Sequence, residues 1–129
     1  MPYPAAIDPN KVGEYPAIVY TGGGYFFDEV LEYRVWCLPD NTVEYSYDID
    51  ACHSFVTYQE ALAFAENTEN SAQPLALVRQ FEWVDQPSRG IYIHNKGERL
   101  TEWRPEWLDR GTRKPNDIAQ FLQKNAVSK

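Results

Sequence analysis

Three consecutive glycines, Gly22, Gly23 and Gly24, are the first candidate for a functional site, because a glycine-rich loop can bind a phosphate group. Glycine lets backbone amides approach a phosphate group closely. The run lacks a following Lys-Ser or Lys-Thr pair and a G-x-G-x-x-G spacing, so a tight loop or bulge between strands is the favoured interpretation. The residues kept as a candidate pocket are Gly22, Gly23, Gly24, Tyr25, His53 and His94.

Metal-binding side chains occur close together at Asp48, Asp50, Cys52 and His53. Carboxylates, thiols and imidazoles are all metal ligands. The two aspartates, however, share one face of a predicted strand with other polar residues, and a solvated strand face explains them. We therefore predict no metal and assign no cofactor.

A cysteine–histidine catalytic pair would need Cys37 or Cys52 as the nucleophile and His53 or His94 as its base. The sequence around them carries no local signature for such a pair. Cys37 lies on the apolar face of a predicted strand, where an inert core thiol is the favoured interpretation.

Arginine alternates with tryptophan near the C-terminus, at Arg99, Trp103, Arg104 and Trp107. This pattern could stack and neutralise single-stranded nucleic acid. The chain carries a net charge of −7, and acidic residues interrupt the same segment. Core tryptophans and paired arginines are therefore favoured, and nucleic acid is disfavoured as a partner.

Acidic residues concentrate in the first half of the chain. Residues 1–70 contain twelve Asp and Glu against two Lys and Arg, whereas residues 71–129 contain seven against ten. Such an asymmetry informs about partners rather than about fold. The predicted acidic surface, suited to a protein partner with a basic surface, consists of Glu32, Glu44, Asp48 and Asp50. Solubility alone is the alternative explanation.

Length and composition indicate one soluble domain. A chain of 129 residues can bury a core without a metal or disulfide. Its two cysteines, the absence of a signal-peptide pattern and the absence of any run of roughly 18 apolar residues predict a cytoplasmic protein that does not enter the membrane.

Strands and helices must position these residues. Apolar periodicity predicts strands over 15–21, 31–38, 43–50, 75–84, 91–94 and 99–103. A capping box from Thr57 to Glu60 begins one helix, and a second begins at residue 116 or 117. Strands 31–38 and 43–50 are expected to pair, and turns are expected at 86–90 and 95–97.

The order β-ββ-α-βββ-α predicts an α+β domain over residues 15–129, after an N-terminal arm over 1–14. Its sheet is expected to be mainly antiparallel, with about five to six strands and two helices.

Several segments resemble a small family of uncharacterised bacterial proteins. The segments are residues 15–25, 31–37, 60–64, 77–84, 97–103 and 106–108. Members of that family are sometimes labelled GCN5-related acetyltransferases, which would imply acetyl-coenzyme A. That superfamily binds the cofactor pyrophosphate at an Arg/Gln-x-x-Gly-x-Gly/Ala turn, and no such turn follows a strand here, so no catalytic residue is carried over.

Three functions follow from these patterns. The first is a non-enzymatic binding or regulatory module that uses its acidic sheet face. The second is an acetyltransferase-related or other small-molecule enzyme with a cleft near Gly22–Gly24. The third is a binder of single-stranded nucleic acid. The sequence leaves open the reaction, the partner, the oligomeric state and whether Cys52 and His53 bind a metal.

Overall fold

Five strands form one mixed sheet in the computed structural model, which describes residues 3–37 and 52–125. The strands are β1 (Tyr20–Thr21), β2 (Glu29–Trp36), β3 (Cys52–Phe55), β4 (Leu75–Ser88) and β5 (Ile91–Trp103). Their order across the sheet is β1-β5-β4-β2-β3, and only the β1–β5 pair is parallel. Helices α1 (Tyr58–Glu66) and α2 (Asp117–Asn125) complete the predicted α+β class, which is confirmed.

The long β4–β5 hairpin replaces three predicted strands. The predicted turn at residues 95–97 is wrong, because β5 continues through it as a single strand of 13 residues. Gly97 instead lies in a register shift between the pairs Gln80↔Arg99 and Glu82↔Lys96. Glycine in a strand often marks such a bulge. The chain reverses earlier, between Ser88 and Ile91, within the predicted turn at residues 86–90.

Strand β2 pairs with β3 on its outer side. The register places Arg34 opposite Ser54 and Trp36 opposite Cys52. Strand β3 was not predicted, because its four residues are too few to show a periodic pattern. The predicted strand over 43–50, and its pairing with 31–38, lie outside the described residues.

Helix α1 begins at the predicted capping box. The Thr57 hydroxyl accepts from the Glu60 amide at 3.2 Å, and the Glu60 carboxylate accepts from the Thr57 amide at 3.2 Å. Ala61 of this helix is fully buried against one face of the sheet. The buried core of that face consists of Phe27, Val30, Tyr33, Val35, Ala61, Ala76, Val78, Trp103 and Leu108.

The opposite face of the sheet carries buried charge. Because Tyr33 points into the apolar core, its neighbours Glu32 and Arg34 point the other way, and each is only 1% exposed. The Arg34 guanidinium lies 2.7 Å from the Glu32 carboxylate and 3.1 Å from that of Glu102. Ser54 and the Trp36 indole also donate to these carboxylates, at 2.9 and 2.8 Å.

The N-terminal segment covers this charged face. Arg34 donates to the backbone carbonyls of Pro16 and Ala17, and the Gly13 amide donates to Glu32 at 2.7 Å. Nearer the N-terminus, the amides of Ala6 and Ile7 donate to the carbonyls of Val56 and Val30. Residues 6–17 are therefore attached to the sheet by hydrogen bonds rather than by apolar packing alone.

None of the helices within residues 3–37 and 52–125 is long and apolar enough to cross a membrane.

We predict that Arg34→Met strongly destabilises the protein, because it removes the cation between two buried carboxylates. The free energy of unfolding should fall by about 3–5 kcal/mol, measured by urea denaturation. Arg104→Met is the matched control, since Arg104 is 68% exposed and its nearest carboxylate lies at 3.9 Å. The control should change stability by less than about 0.5 kcal/mol. Equal effects of the two substitutions would contradict this account.

Candidate functional site

The glycine run forms a loop that is bonded to both long strands. The Gly23 carbonyl accepts from the Trp103 indole at 3.0 Å and from the Gln80 amide at 3.2 Å. The Gly24 carbonyl accepts from the Val84 amide at 3.0 Å. Tyr25, at the end of the loop, adopts a φ of 62°, which is sparsely populated by residues other than glycine. A strained residue of this kind points to a functional constraint.

Gly24 is packed too tightly for any side chain. A Cβ atom there would lie 2.2 Å from the Gln80 amide nitrogen and 2.9 Å from an Arg99 guanidinium nitrogen. Its φ of 93° also disfavours L residues. The neighbouring Gly23 has a similar φ of 88°, but a Cβ atom there would have no atom within 4 Å. The loop thus packs closely on the sheet at Gly24, whereas the preceding residue, Gly23, has open space around it.

A cavity of about 490 Å³ lies beside this loop. It is lined by Gly23, Gly24, Tyr25, Val84, Asp85, Gln86, Trp103, Glu106, Trp107 and Arg110. The volume is typical of small-molecule sites, as is a lining of aromatic side chains with a few polar groups.

The aromatic side chains that line the cavity are fixed by contacts with neighbouring residues. The Trp103 and Trp107 rings meet edge to face with centroids 5.8 Å apart. The Tyr25 hydroxyl donates to the Gln86 side chain at 2.9 Å. Phe121 of α2 packs on the Tyr25 ring with centroids 4.8 Å apart. Fixed rings lose little conformational entropy when a ligand binds.

The structure separates the predicted pocket residues into two groups. Gly23, Gly24 and Tyr25 line the cavity. Gly22 contacts it indirectly, because a Cβ atom there would touch the Trp107 ring at 3.6 Å. The two histidines lie elsewhere, so their inclusion in one pocket with the glycines is wrong.

Both histidines have other neighbours. The His53 ring packs on Phe64 of α1 at 4.6 Å. His94 on the hairpin contacts the Glu82 carboxylate through Nε2 at 2.8 Å. Neither therefore supplies a base to the cavity.

The predicted stacking residues are also divided. Trp103 is only 3% exposed, and the Arg99 guanidinium lies over the Trp83 ring at 4.4 Å. These two residues are not available to stack on nucleobases, which corrects their assignment to a nucleic-acid surface. Arg104 and Trp107 are exposed, and Trp107 belongs to the cavity.

The predicted acidic surface loses one of its four members. Glu32 is buried against Arg34, so its assignment to an exposed partner surface is wrong. When both faces of a strand are covered, a charged side chain can point into the interior. The alternation of residues along the strand did not show whether Glu32 points to the interior or to solvent. Glu44, Asp48 and Asp50 lie outside the described residues.

Cys52 is a poor candidate for a nucleophile. Burial raises the pKa of its thiol to about 11, with smaller opposing effects from nearby Arg34. His53 follows it on the same strand, so the two side chains point to opposite faces. In the described part of the chain, no three His, Cys, Asp or Glu side chains are placed to hold a metal ion.

Sequence reasoning missed half of the cavity and its main support. Val84, Asp85 and Gln86 line the cavity from the end of β4. Glu106 and Arg110 line it from a short 3₁₀ helix, Pro105–Arg110. The available signal was Gln80, an uncharged polar residue that stands with Arg79 and Glu82 in a strand whose other residues are apolar. A fully buried amide needs partners on every side, which points to a structure built around it.

We predict that Gly24→Ala and Gly23→Ala differ sharply although both glycines have a positive φ. Gly23→Ala should cost about 1–2 kcal/mol, which is the strain of the left-handed backbone alone. Gly24→Ala should cost roughly 1–3 kcal/mol more, because its Cβ atom displaces Gln80. Thermal or urea unfolding measures both. Similar losses for the two variants would show that the loop does not press on Gln80.

We also predict that Cys52 reacts slowly with thiol reagents. A pKa raised to about 11 from the ordinary value of 9.0 lowers the thiolate fraction at pH 8 by roughly a hundredfold. In a Cys37→Ser variant, the rate of labelling should keep rising up to pH 10. A rate that levels off below pH 9 would contradict the raised pKa.

Comparison with known proteins returns no match for this chain. No protein-family model, no curated protein and no solved structure matches it. The resemblance to proteins labelled GCN5-related acetyltransferases therefore stays a prediction, and a function has to be argued from the cavity and its walls.

Proposed function

We propose that this protein is a non-enzymatic binding module whose binding surface is the cavity beside Gly23 and Gly24. The observation that carries this proposal is the aromatic lining of the 490 Å³ cavity by Tyr25, Trp103 and Trp107. Large aromatic side chains in a concave site supply most of the affinity in many binding sites.

Exposure of Trp107 supports the proposal. Its side chain is 39% exposed at the cavity, although it sits on a short 3₁₀ helix whose neighbours Pro105 and Leu108 are buried. A ligand that covers the exposed part of the Trp107 indole lowers the free energy of the complex by about 25 cal/mol for each Å² of apolar surface that it buries. The cavity thus offers a favourable site for an apolar or planar group.

The rigidity of the opposite wall also favours binding. Trp103 is buried and bonded to the loop, while α2 fixes Tyr25 through Phe121. The segment before α2 is attached to the rest of the protein, because the Arg113 amide donates to the Phe27 carbonyl at 2.7 Å. Because Trp103 supports the Trp107 ring by edge-to-face contact, the exposed Trp107 indole is a rigid surface on which a planar ligand can pack.

This proposal moves the binding surface from the predicted acidic sheet face to the cavity. Binding of a protein with a basic surface at Glu44, Asp48 and Asp50 stays a prediction. The two surfaces are tested by separate substitutions, at Trp107 for the cavity and at Glu44, Asp48 and Asp50 for the predicted acidic face.

The test uses uncharged aromatic fragments, namely indole, phenol and quinoline, at millimolar concentration. We expect the indole N–H resonances of Trp103 and Trp107 to shift in NMR spectra. The Trp36 indole is the internal control, since it is bonded to Glu102 in the charged network, outside the cavity lining. Trp107→Ala should weaken fragment binding by about tenfold or more.

Ile91→Ala is the matched control, because Ile91 is 53% exposed on the hairpin and does not line the cavity. It should leave fragment affinity unchanged. The proposal fails if no fragment moves the Trp103 and Trp107 signals, or if Trp107→Ala binds as well as the unsubstituted protein.

A further inference from the structure

Three charged side chains line the cavity, and they differ in how far they are already paired. Asp85 is engaged on one oxygen by the Asn95 amide at 2.7 Å and the Trp83 indole at 3.3 Å. Its other oxygen lies 3.9 Å from the Arg99 guanidinium. Asp85 is therefore held by the hairpin through one oxygen and faces the well-buried Arg99 cation with the other.

Glu106 and Arg110 are the two charges that remain. The nearest cation to Glu106 is Arg104, at 3.9 Å, and both of these side chains are more than half exposed. Such a pair contributes little in water. Among the ion pairs of residues 3–37 and 52–125, none includes Arg110. One carboxylate and one guanidinium thus stand at the cavity without a strong partner.

The 3₁₀ helix explains why these two do not neutralise each other. With three residues per turn, side chains three positions apart lie over one another, so Arg110 follows Trp107 on one side of the helix. Glu106, four positions before Arg110, is turned away by about a third of a turn. The helix consequently presents opposite charges on separate flanks, next to the Trp107 indole.

From this arrangement we infer that the cavity binds a small zwitterion with an aromatic body, of the class of a free aromatic α-amino acid. The ligand ammonium faces Glu106, its carboxylate faces Arg110, and its ring packs on the exposed Trp107 indole beside Tyr25. This inference rests on the proposed binding function and adds the chemical class of the ligand.

Each part of the ligand meets a group suited to it. A guanidinium pairs with a carboxylate through two parallel hydrogen bonds. An ammonium gains both from the Glu106 carboxylate and from a nearby indole face. A purely cationic ligand would leave Arg110 unmatched, and a purely anionic one would be repelled by Glu106. The two charges therefore select a molecule that carries both signs.

The test compares four probes by isothermal titration calorimetry. The reference probe is L-phenylalanine. Phenethylamine lacks its carboxylate, 3-phenylpropionate lacks its ammonium, and glycine lacks its ring. L-phenylalanine should bind about three- to tenfold more tightly than phenethylamine or 3-phenylpropionate. Glycine should bind most weakly, because it gains nothing from the aromatic walls.

Substitutions at two exposed residues should change the affinities for the two singly charged probes in opposite ways. Glu106→Gln should weaken L-phenylalanine and phenethylamine by about three- to tenfold and leave 3-phenylpropionate unweakened. Arg110→Gln should weaken L-phenylalanine and 3-phenylpropionate and leave phenethylamine unweakened. Arg104→Gln is the control, because Arg104 lies outside the cavity lining, and it should leave the order of the four probes unchanged.

The outcomes separate this inference from the proposed function. Equal affinity for the three phenyl probes, or a preference for either singly charged probe, overturns the zwitterion inference. Binding of indole, phenol or quinoline without binding of L-phenylalanine overturns it as well, while the cavity remains a binding site. Failure of the uncharged fragments overturns the proposed function itself.

Discussion

The carboxamide of Gln80 is the interaction on which the candidate site depends. It is fully buried, donates to the carbonyls of Gly23 and Phe26, and accepts from Arg99 and Thr101. A carboxamide has two donor hydrogens and an oxygen with two lone pairs, so every hydrogen-bonding position is occupied. Fully satisfied buried networks make one arrangement much more favourable than its alternatives. The loop, the cavity wall and the position of Arg99 therefore follow from one side chain.

The two faces of the sheet are stabilised by different interactions. The apolar face is covered by α1 and by Trp103 and Leu108, and burial of apolar surface stabilises it. The other face buries Arg34 between Glu32 and Glu102, where desolvation opposes the attraction between the charges. Backbone groups of residues 13–17 supply the remaining hydrogen bonds. The N-terminal segment is thus part of the electrostatic structure of the sheet.

Local signals predicted the elements that are stabilised locally. The capping box at Thr57 lies within four residues, and both of its hydrogen bonds are present. The hairpin was harder, because Gly97 resembles a turn residue but sits in a bulge that only the register with β4 defines. The cavity could be only half predicted. Gly23 and Gly24 are conspicuous in the sequence, whereas Glu106 and Arg110 reach the same cavity through a 3₁₀ helix that follows a proline. Their proximity is set by tertiary packing.

The charge asymmetry of the sequence acquires a different meaning in the fold. Asp28 pairs with Arg113 at 2.9 Å, and Glu29 pairs with Arg79 at 2.7 Å. Acids of the first half thus meet bases of the second half within the same molecule. A difference in charge between two halves is evidence for an external partner only to the extent that the halves do not neutralise each other. The charges that can select a ligand are those that the fold leaves weakly paired, and beside the aromatic cavity these are Glu106 and Arg110.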